Sequence, residues 1–459
     1  MLVRRTFFGI LTAALLSTTA HSATLQEALE AAYRNNPVLD AARAQQRAND
    51  ELVPQALSDF RPSVAATAGA DLNTGNTNFG SQDYFNRGVG VEVRQNLYRG
   101  GSSTAALRQA ENLVRVGRAR LHATEQDILG QAAQAYTQVW RDRSVAALAE
   151  NNVNRLRRQL QATRDRFNVG EVARTDVAQA EARLAQAQAE LTAAQGTLEV
   201  SEATYARVVG EPAPADIEQP PTPAGLPESE AAAQEIATRN PQLVAARFQL
   251  AAARDDVDVQ RGSLLPTVDL SASAGYADEP QANVDWQNRA SVGVAVSVPL
   301  YQGGGEYARV RQSKQTLQQR MRDLDAANLA VREQVTSAWA ARRAAIAAIQ
   351  SLRAQVRANQ IALEGVQQEA LVGSRTVIDV LDAENELFTS QVDLVRAQTL
   401  EINSAYQLLA AIGMLTAPAQ DLRVEPYNVE QHYTQTRDRL FGLGDPIEPV
   451  EAFTPQKVN

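Results

Sequence analysis

The stretch VGSRTVIDVLDAENELF, residues 372–388, repeats an earlier one, FNVGEVARTDVAQAEARL, residues 167–184. An offset of 203 residues sets Gly373 on Gly170, Asp379 on Asp176, Val380 on Val177, Ala383 on Ala180, Glu384 on Glu181 and Leu387 on Leu184. The same offset brings GVEVRQNLYRGG (90–101) onto GVAVSVPLYQGG (293–304), Tyr136 onto Trp339 and Gly210 onto Gly413. One residue out of step, the segment around Pro62 meets that around Pro266, and YRNNPVLDAAR (33–43) echoes ATRNPQLVAAR (237–247). So long a period is duplication of a whole structural unit, since solenoid repeats run to about 20–50 residues. The expected organisation is a leader at 1–22, a first repeat at 23–210, a Pro-rich linker at 211–227, a second repeat at 228–415 and a C-terminal segment at 416–459.

Composition narrows the chemistry. The chain has 459 residues, only 5% aromatics and no Cys. That excludes disulfides, thiolate metal sites and cysteine nucleophiles, and it favours slim helices packed closely. The three histidines, His21, His122 and His432, lie far apart, without metal-ligand or triad spacing. No metal and no cofactor is expected. Arg4 and Arg5, the apolar FFGILTAALL, and small residues at Ala20 and Ser22 read as a secretory signal. The alternative, a membrane anchor, asks for a longer apolar run. Net charge is −9, and −11 once the two arginines leave with the leader, so nucleic acid is a poor partner.

Two segments in each repeat alternate with period two. Val292, Val294, Val296 and Val298 share one face, as do Val89, Val91 and Val93, and as do Val268, Leu270, Ala272, Ala274 and Tyr276. Runs of about ten residues with this pattern suit membrane β-strands; a half-buried sheet in a soluble protein gives the same alternation. Aromatics at the ends favour the membrane: Tyr84, Phe85, Tyr276 and Trp286 at one, Tyr98 and Tyr301 at the other. Glu92 and Arg94 then face a lumen. The polar connections DLNTGNTNFGSQDYFNR and ADEPQANVDWQNR read as exposed loops. Four strands cannot close a membrane barrel, which needs about eight. An open edge in lipid leaves backbone groups unbonded, so if the strands lie in a membrane their count demands an oligomer.

After each Gly-Gly come about 65 residues without Pro, or roughly 100 Å of helix. Leu107, Val114, Leu121, Ile128 and Ala135 form a heptad stripe, and so do Val310, Leu317, Leu324, Val331, Ala338, Ala345 and Leu352. That is coiled-coil packing. Shorter helices, at 25–57 and 175–208, are each about half that length, roughly 50 Å.

These pieces together resemble the TolC family of outer-membrane efflux and export channels, over essentially all of 23–415. The duplicated halves, the LYRGG and LYQGG junctions and the two VG turns carry the likeness. It implies an α+β membrane protein in which each chain lends four strands to a shared trimeric twelve-stranded barrel above a long coiled-coil tunnel. The duct would be passive. Its implied partners are outer-membrane lipid, a periplasmic adaptor (membrane fusion) protein and an inner-membrane transporter of the proton-driven RND or ATP-driven ABC kind. The two turns become the periplasmic tip, with Val169, Gly170, Glu171, Val372, Gly373 and Ser374 as the surface an adaptor grips. Arg375 matches the family's gate arginine, with Thr175 and Asp176 of a neighbouring protomer as partners. Asp379 and Asp382, at i and i+3, would form stacked rings of carboxylates that favour cations. The family's better-known members carry Tyr five positions before that arginine; here it is Ala370, which implies fewer closing contacts.

Without the family, the same charges read as solvated helix residues, and Gly170 and Gly373 as helix C-caps. A periplasmic coiled-coil scaffold or surface adhesin with a small sheet is the competing function. An enzyme finds no support, because the acidic pairs lie on long helices without an apolar pocket, a His base or a nucleophile elbow. The tail after Leu415 carries no clear pattern, and for 431–459 that leaves disorder or packing around the tunnel's equator.

Overall fold

The computed structural model describes residues 24–78, 80–281 and 284–444. The expected leader and the tail beyond 444 lie outside the described residues. The chain forms two compact units, one built from residues up to 36 with 129–224 and 340–406, the other from 37–128, 225–339 and the residues from 407 onward.

The order of elements repeats as the sequence does. Helices α1 (Leu25–Asn35), α2 (Pro37–Asp50) and α3 (Leu52–Leu57) precede strands β1 (Ser63–Thr77) and β2 (Gly80–Arg99). Then come α4 (Ser102–Asn168) and α5 (Arg174–Val209). The second half runs α6 (Glu230–Ile236), α7 (Pro241–Gly262), β3 (Thr267–Gln281), β4 (Val284–Ser297), α8 (Gly305–Leu371) and α9 (Val377–Ala411), followed by α10 (Val429–Thr436). Helices α4 and α8 have 67 residues each, about 100 Å. Their heptad residues Val114, Leu121, Ile128, Val331 and Ala345 are buried.

The single helix expected over 25–57 is broken, because Pro37 cannot donate its share of the hydrogen-bond ladder. The break has a use, and it occurs twice. Asn36, before Pro37, donates its amide to the Val208 carbonyl at 2.8 Å. Asn240, before Pro241, donates to the Ala411 carbonyl at 2.9 Å. Each amide satisfies a carbonyl at the end of α5 or α9, just before a left-handed glycine, Gly210 or Gly413. Both asparagines are buried, so the Asn-Pro pair of each repeat is a helix-end lock.

The four strands form one antiparallel sheet in the order β1-β2-β3-β4. Register decides which side chains share a face. Val64, Val93, Ala272 and Val292 lie in one row; Ala66, Val91, Ala274 and Ala290 in the next; Ala68, Val89, Tyr276 and Asn288 in a third. The opposite face carries Thr67, Gly90, Gly275 and Arg289 in one row, and Ala65, Glu92, Ser273 and Ser291 in another. One face is thus apolar and the other small or polar, the arrangement of a membrane barrel with lipid outside and water within. Glu92 and Arg94 pair on the polar face at 2.6 Å.

Aromatics bound the apolar face. Trp286 is level with the Arg87–Asp278 ion pair, and Phe85 sits beside Arg87, whose guanidinium lies 5.5 Å from its ring centroid. Tyr98 stands nine residues along β2 from the Val89–Tyr276 row. That distance is about 30 Å of strand and, with a tilt near 40°, ~23 Å across the bilayer, close to the apolar band of such barrels.

The connections read as polar loops are corrected over the described residues. β1 and β2 stay paired from Ser63↔Arg94 to Thr77↔Gly80, and β3 with β4 as far as Gln281↔Val284. Their Asn, Thr and Asp residues suggested turns, yet cross-strand pairing carries them on as hairpin extensions. β4 in turn stops at Ser297, before Pro299 removes a donor, so Val298 lies outside it.

Candidate functional site

The two matched turns are built alike. α4 ends at Asn168 and α5 starts at Arg174; α8 ends at Leu371 and α9 starts at Val377. Gly170 and Gly373 both have φ of 80°. The Gly170 N–H donates to the Phe167 carbonyl at 2.9 Å and Glu171 N–H to that of Arg166 at 2.9 Å. Gly373 and Ser374 repeat this on Ala370 and Glu369, at 3.3 and 3.0 Å. This double bond pattern closes a helix on a left-handed residue. A Cβ at either glycine would touch nothing within 4 Å, so backbone conformation alone calls for glycine.

Each second helix then starts on its aspartate. The Asp379 carboxylate accepts from the Thr376 N–H at 2.9 Å and its hydroxyl at 2.8 Å, while the Thr376 Oγ1 accepts from Asp379 N–H at 3.3 Å. This is a full capping box. These bonds from Thr376, with a smaller contribution from Arg375, hold the Asp379 carboxyl below the usual carboxylate range. Asp176 makes half of the box, accepting from Ala173 N–H at 2.9 Å, since Ala173 has no side-chain acceptor.

An ion pair crosses each turn with its sign reversed. Arg166 donates to Glu171 at 3.1 Å, and Arg375 donates to Glu369 at 2.8 Å. Arg166 and Glu369 are repeat counterparts. Within the chain Arg375 therefore holds Glu369 rather than Thr175 or Asp176, and it stays 49% exposed. Asp382 accepts from Arg183 of α5 at 2.7 Å, which ties the two hairpins together. Beneath them Val377 and Leu381 of α9 pack with Leu156, Leu160 and Ala180 of α4 and α5. Ala370 is buried with Leu363, Val380 and Leu387 in the seam of α8 and α9. At the ends, Val169 and Val372 are 72% and 81% exposed, and Glu171 and Ser374 are exposed as well.

Sequence reasoning passed over Arg183, Glu369 and Glu384. Glu384 is 3% exposed, and its Oε2 has no hydrogen-bond partner. Burial pushes its carboxyl up, against the pull of Arg155 and Arg158. Its repeat counterpart Glu181 is exposed and paired with Arg164 at 2.7 Å. Identical letters at both positions hid that difference. A cavity of about 580 Å³ in this unit is lined in part by Arg141, Asp142, Asp393 and Arg396, and its arginines pair with its own aspartates. Among the described residues no cluster of His, Asp and Glu has the geometry to hold a metal.

A family model described as outer membrane efflux protein matches the chain twice, at residues 28–211 and 232–414. The chain belongs to the outer membrane efflux protein family. Outer membrane efflux protein BepC of Brucella suis biovar 1 (strain 1330) is 39% identical over 435 residues, covering 94% of this chain and 94% of that protein. Outer membrane protein TolC of Vibrio cholerae serotype O1 is 29% identical, over 87% of this chain and 93% of that one. In fold the chain is similar to the Campylobacter jejuni CmeC outer membrane channel, with a TM-score of 0.78 at 14% identity, over 95% of this chain and 97% of that one. This efflux protein is therefore a channel of the outer membrane that extends into the periplasm, and its activity is transport. The competing reading as a scaffold or adhesin falls away.

Proposed function

We propose that three copies of this chain close one twelve-stranded barrel and continue it as a helical tunnel, a passive exit duct with a gate at the paired turns. The observation that carries this is the sheet: four strands, one apolar face and two open edges, β1 and β4. Edge groups in hydrocarbon have no partner, so β4 of one copy pairs with β1 of the next until the ring closes. Leu329 and Ile361 of α8, 68% and 70% exposed in one chain, support the same assembly. Residues 23–210 and 228–415 are its two structural repeats, joined by the linker 211–227, and a C-terminal segment begins at 416.

At the gate Arg375 exchanges Glu369 for Thr175 and Asp176 of the neighbouring copy, and Asp379 and Asp382 ring the constriction with charge. Val169, Gly170, Glu171, Val372, Gly373 and Ser374 form the docking surface for a periplasmic adaptor, which couples the duct to an RND or ABC transporter of the inner membrane. The exposed valines at matched tip positions support this reading. A photo-crosslinker at Glu171 or Ser374 in intact cells tests it. Recovery of an adaptor with a proton-driven pump assigns efflux, and recovery with an ATP-driven exporter assigns secretion. Capture of no adaptor overturns the docking surface.

A further inference from the structure

Beyond α10 the described chain closes on an exposed apolar turn, RDRLFGLG at 437–444. Leu440, Phe441 and Leu443 are 65%, 89% and 105% exposed. The turn is tied at its root. Arg439 N–H donates to the Thr436 carbonyl at 3.0 Å, and the Arg439 carbonyl accepts from the Arg61 guanidinium at 3.1 Å. The Arg439 guanidinium itself lies over Gly442, 3.7 Å from where a Cβ would stand. Gly442 and Gly444 take φ of 108° and 83°, backbone conformations that glycine adopts at ease.

Its place in the sheet-bearing unit follows from the contacts of α10. Glu430 pairs with Arg118, Tyr433 packs beside Val53, Leu57 and Leu107, and Arg439 meets Arg61, two residues before β1. The helix thus climbs α4 towards the start of the sheet. By register Arg61 falls close to the level of Tyr98, the lower aromatic limit of the apolar face. Phe60 and Tyr98, 45% and 50% exposed, lie at the same rim.

We propose that Leu440, Phe441 and Leu443 enter the periplasmic leaflet of the outer membrane as a foot beside the barrel, with the exposed Arg437 and Arg439 at the level of the lipid phosphates. Continuity with the lipid-facing sheet selects lipid as the occupant, and apolar side chains flanked by arginine suit an interface where headgroups meet acyl chains. Asp438 between the two arginines halves their net charge, so the apolar side chains supply most of the attachment. The proposal rests on the reading of the sheet as membrane-embedded.

Because the chain has no cysteine, one introduced thiol reports one position. Full-length Phe441→Cys, Val292→Cys and Gln435→Cys proteins, each carrying an environment-sensitive fluorophore, would be placed in vesicles of phosphatidylethanolamine and phosphatidylglycerol with shallow nitroxide lipids. Val292 stands on the apolar face of β4, 78% exposed, and Gln435 on the exposed side of α10. Quenching at 441 is expected within about twofold of that at 292, with little at 435. A blue-shifted label at 441 that nitroxide lipid leaves unquenched means that a neighbouring copy covers the turn; a water-like, unquenched label leaves it in solvent. Either result overturns the foot. An unquenched label at 292 removes the sheet from lipid and takes the foot with it.

Discussion

Arg375 has a bond inside its own chain and a proposed one outside it, and a pair of substitutions separates them. If the gate depends on the arginine reaching a neighbouring protomer, Arg375→Ala raises single-channel conductance in a planar bilayer several-fold, while Glu369→Gln frees the guanidinium and leaves conductance at or below wild type. Equal rises in both variants would reduce Arg375 to a local turn lock, worth at most about 1 kcal/mol as an exposed pair. The two unusual carboxyls of the tip respond to pH in opposite directions. Asp379, held low by Thr376, contributes stability that is complete above the ordinary carboxylate range and is lost as pH falls through its lowered value. Glu384, raised by burial, favours the folded tip when protonated, and that contribution is lost as pH rises through its raised value. Glu384→Gln should therefore raise the thermal midpoint at pH 8 more than at pH 5. Hydrogen exchange over 377–387 at both pH values reads the same difference, and an equal shift at both would contradict an ionised, unpaired Glu384.

At the scale of elements the hairpin turns depend on backbone geometry that only glycine adopts at ease. Gly373→Ala forces a left-handed alanine with free space around it, so its cost is conformational alone, about 1–2 kcal/mol. Gly100→Ala should cost more, because its Cβ would also strike the Gly262 carbonyl and stand 2.7 Å from Leu265 Cβ at the strand-to-helix junction. Comparing the two midpoints in denaturant checks the order, and a milder Gly100 variant would refute it. These glycines were legible in the sequence because the repeat printed each of them twice. So were the long helices, through absent prolines and heptads, and the valines that share the apolar face of the sheet, through period two. Part of what escaped has a common physical cause. The strand extensions of β1 and β2 are polar, and their pairing is long-range, so composition suggested loops. The Arg183–Asp382 tie joins residues 199 apart, where no local pattern points from one to the other. The cross-turn pairs at Arg166 and Glu369 escaped for another reason: the repeat exchanged their signs and moved the partner from five residues on to six, so aligned letters looked unrelated.

For the whole molecule the decisive quantity is how many sheets close the ring. Strands spaced about 4.8 Å apart and tilted near 40° give a backbone diameter of ~16 Å for eight strands, ~24 Å for twelve and ~32 Å for sixteen. At eight, side chains fill the interior, and an exit duct has no room. Three copies are the smallest number that leaves a lumen, and the glycines, alanines and serines on the polar face of the sheet widen it further. Val64 on β1 and Val296 on β4 both belong to the apolar face, on opposite edges. A chain carrying Val64→Cys with Val296→Cys, treated in vesicles with a flexible bifunctional maleimide, should give monomer, dimer and trimer bands on a denaturing gel and nothing larger. Each single variant should stay monomeric, because β1 never meets β1 in a ring built head to tail. A ladder that stops at the dimer would mean a side-chain-filled eight-stranded barrel and no duct. One that runs past the trimer would widen the lumen and leave Arg375 of one copy too far from Thr175 and Asp176 of the next to seal the gate.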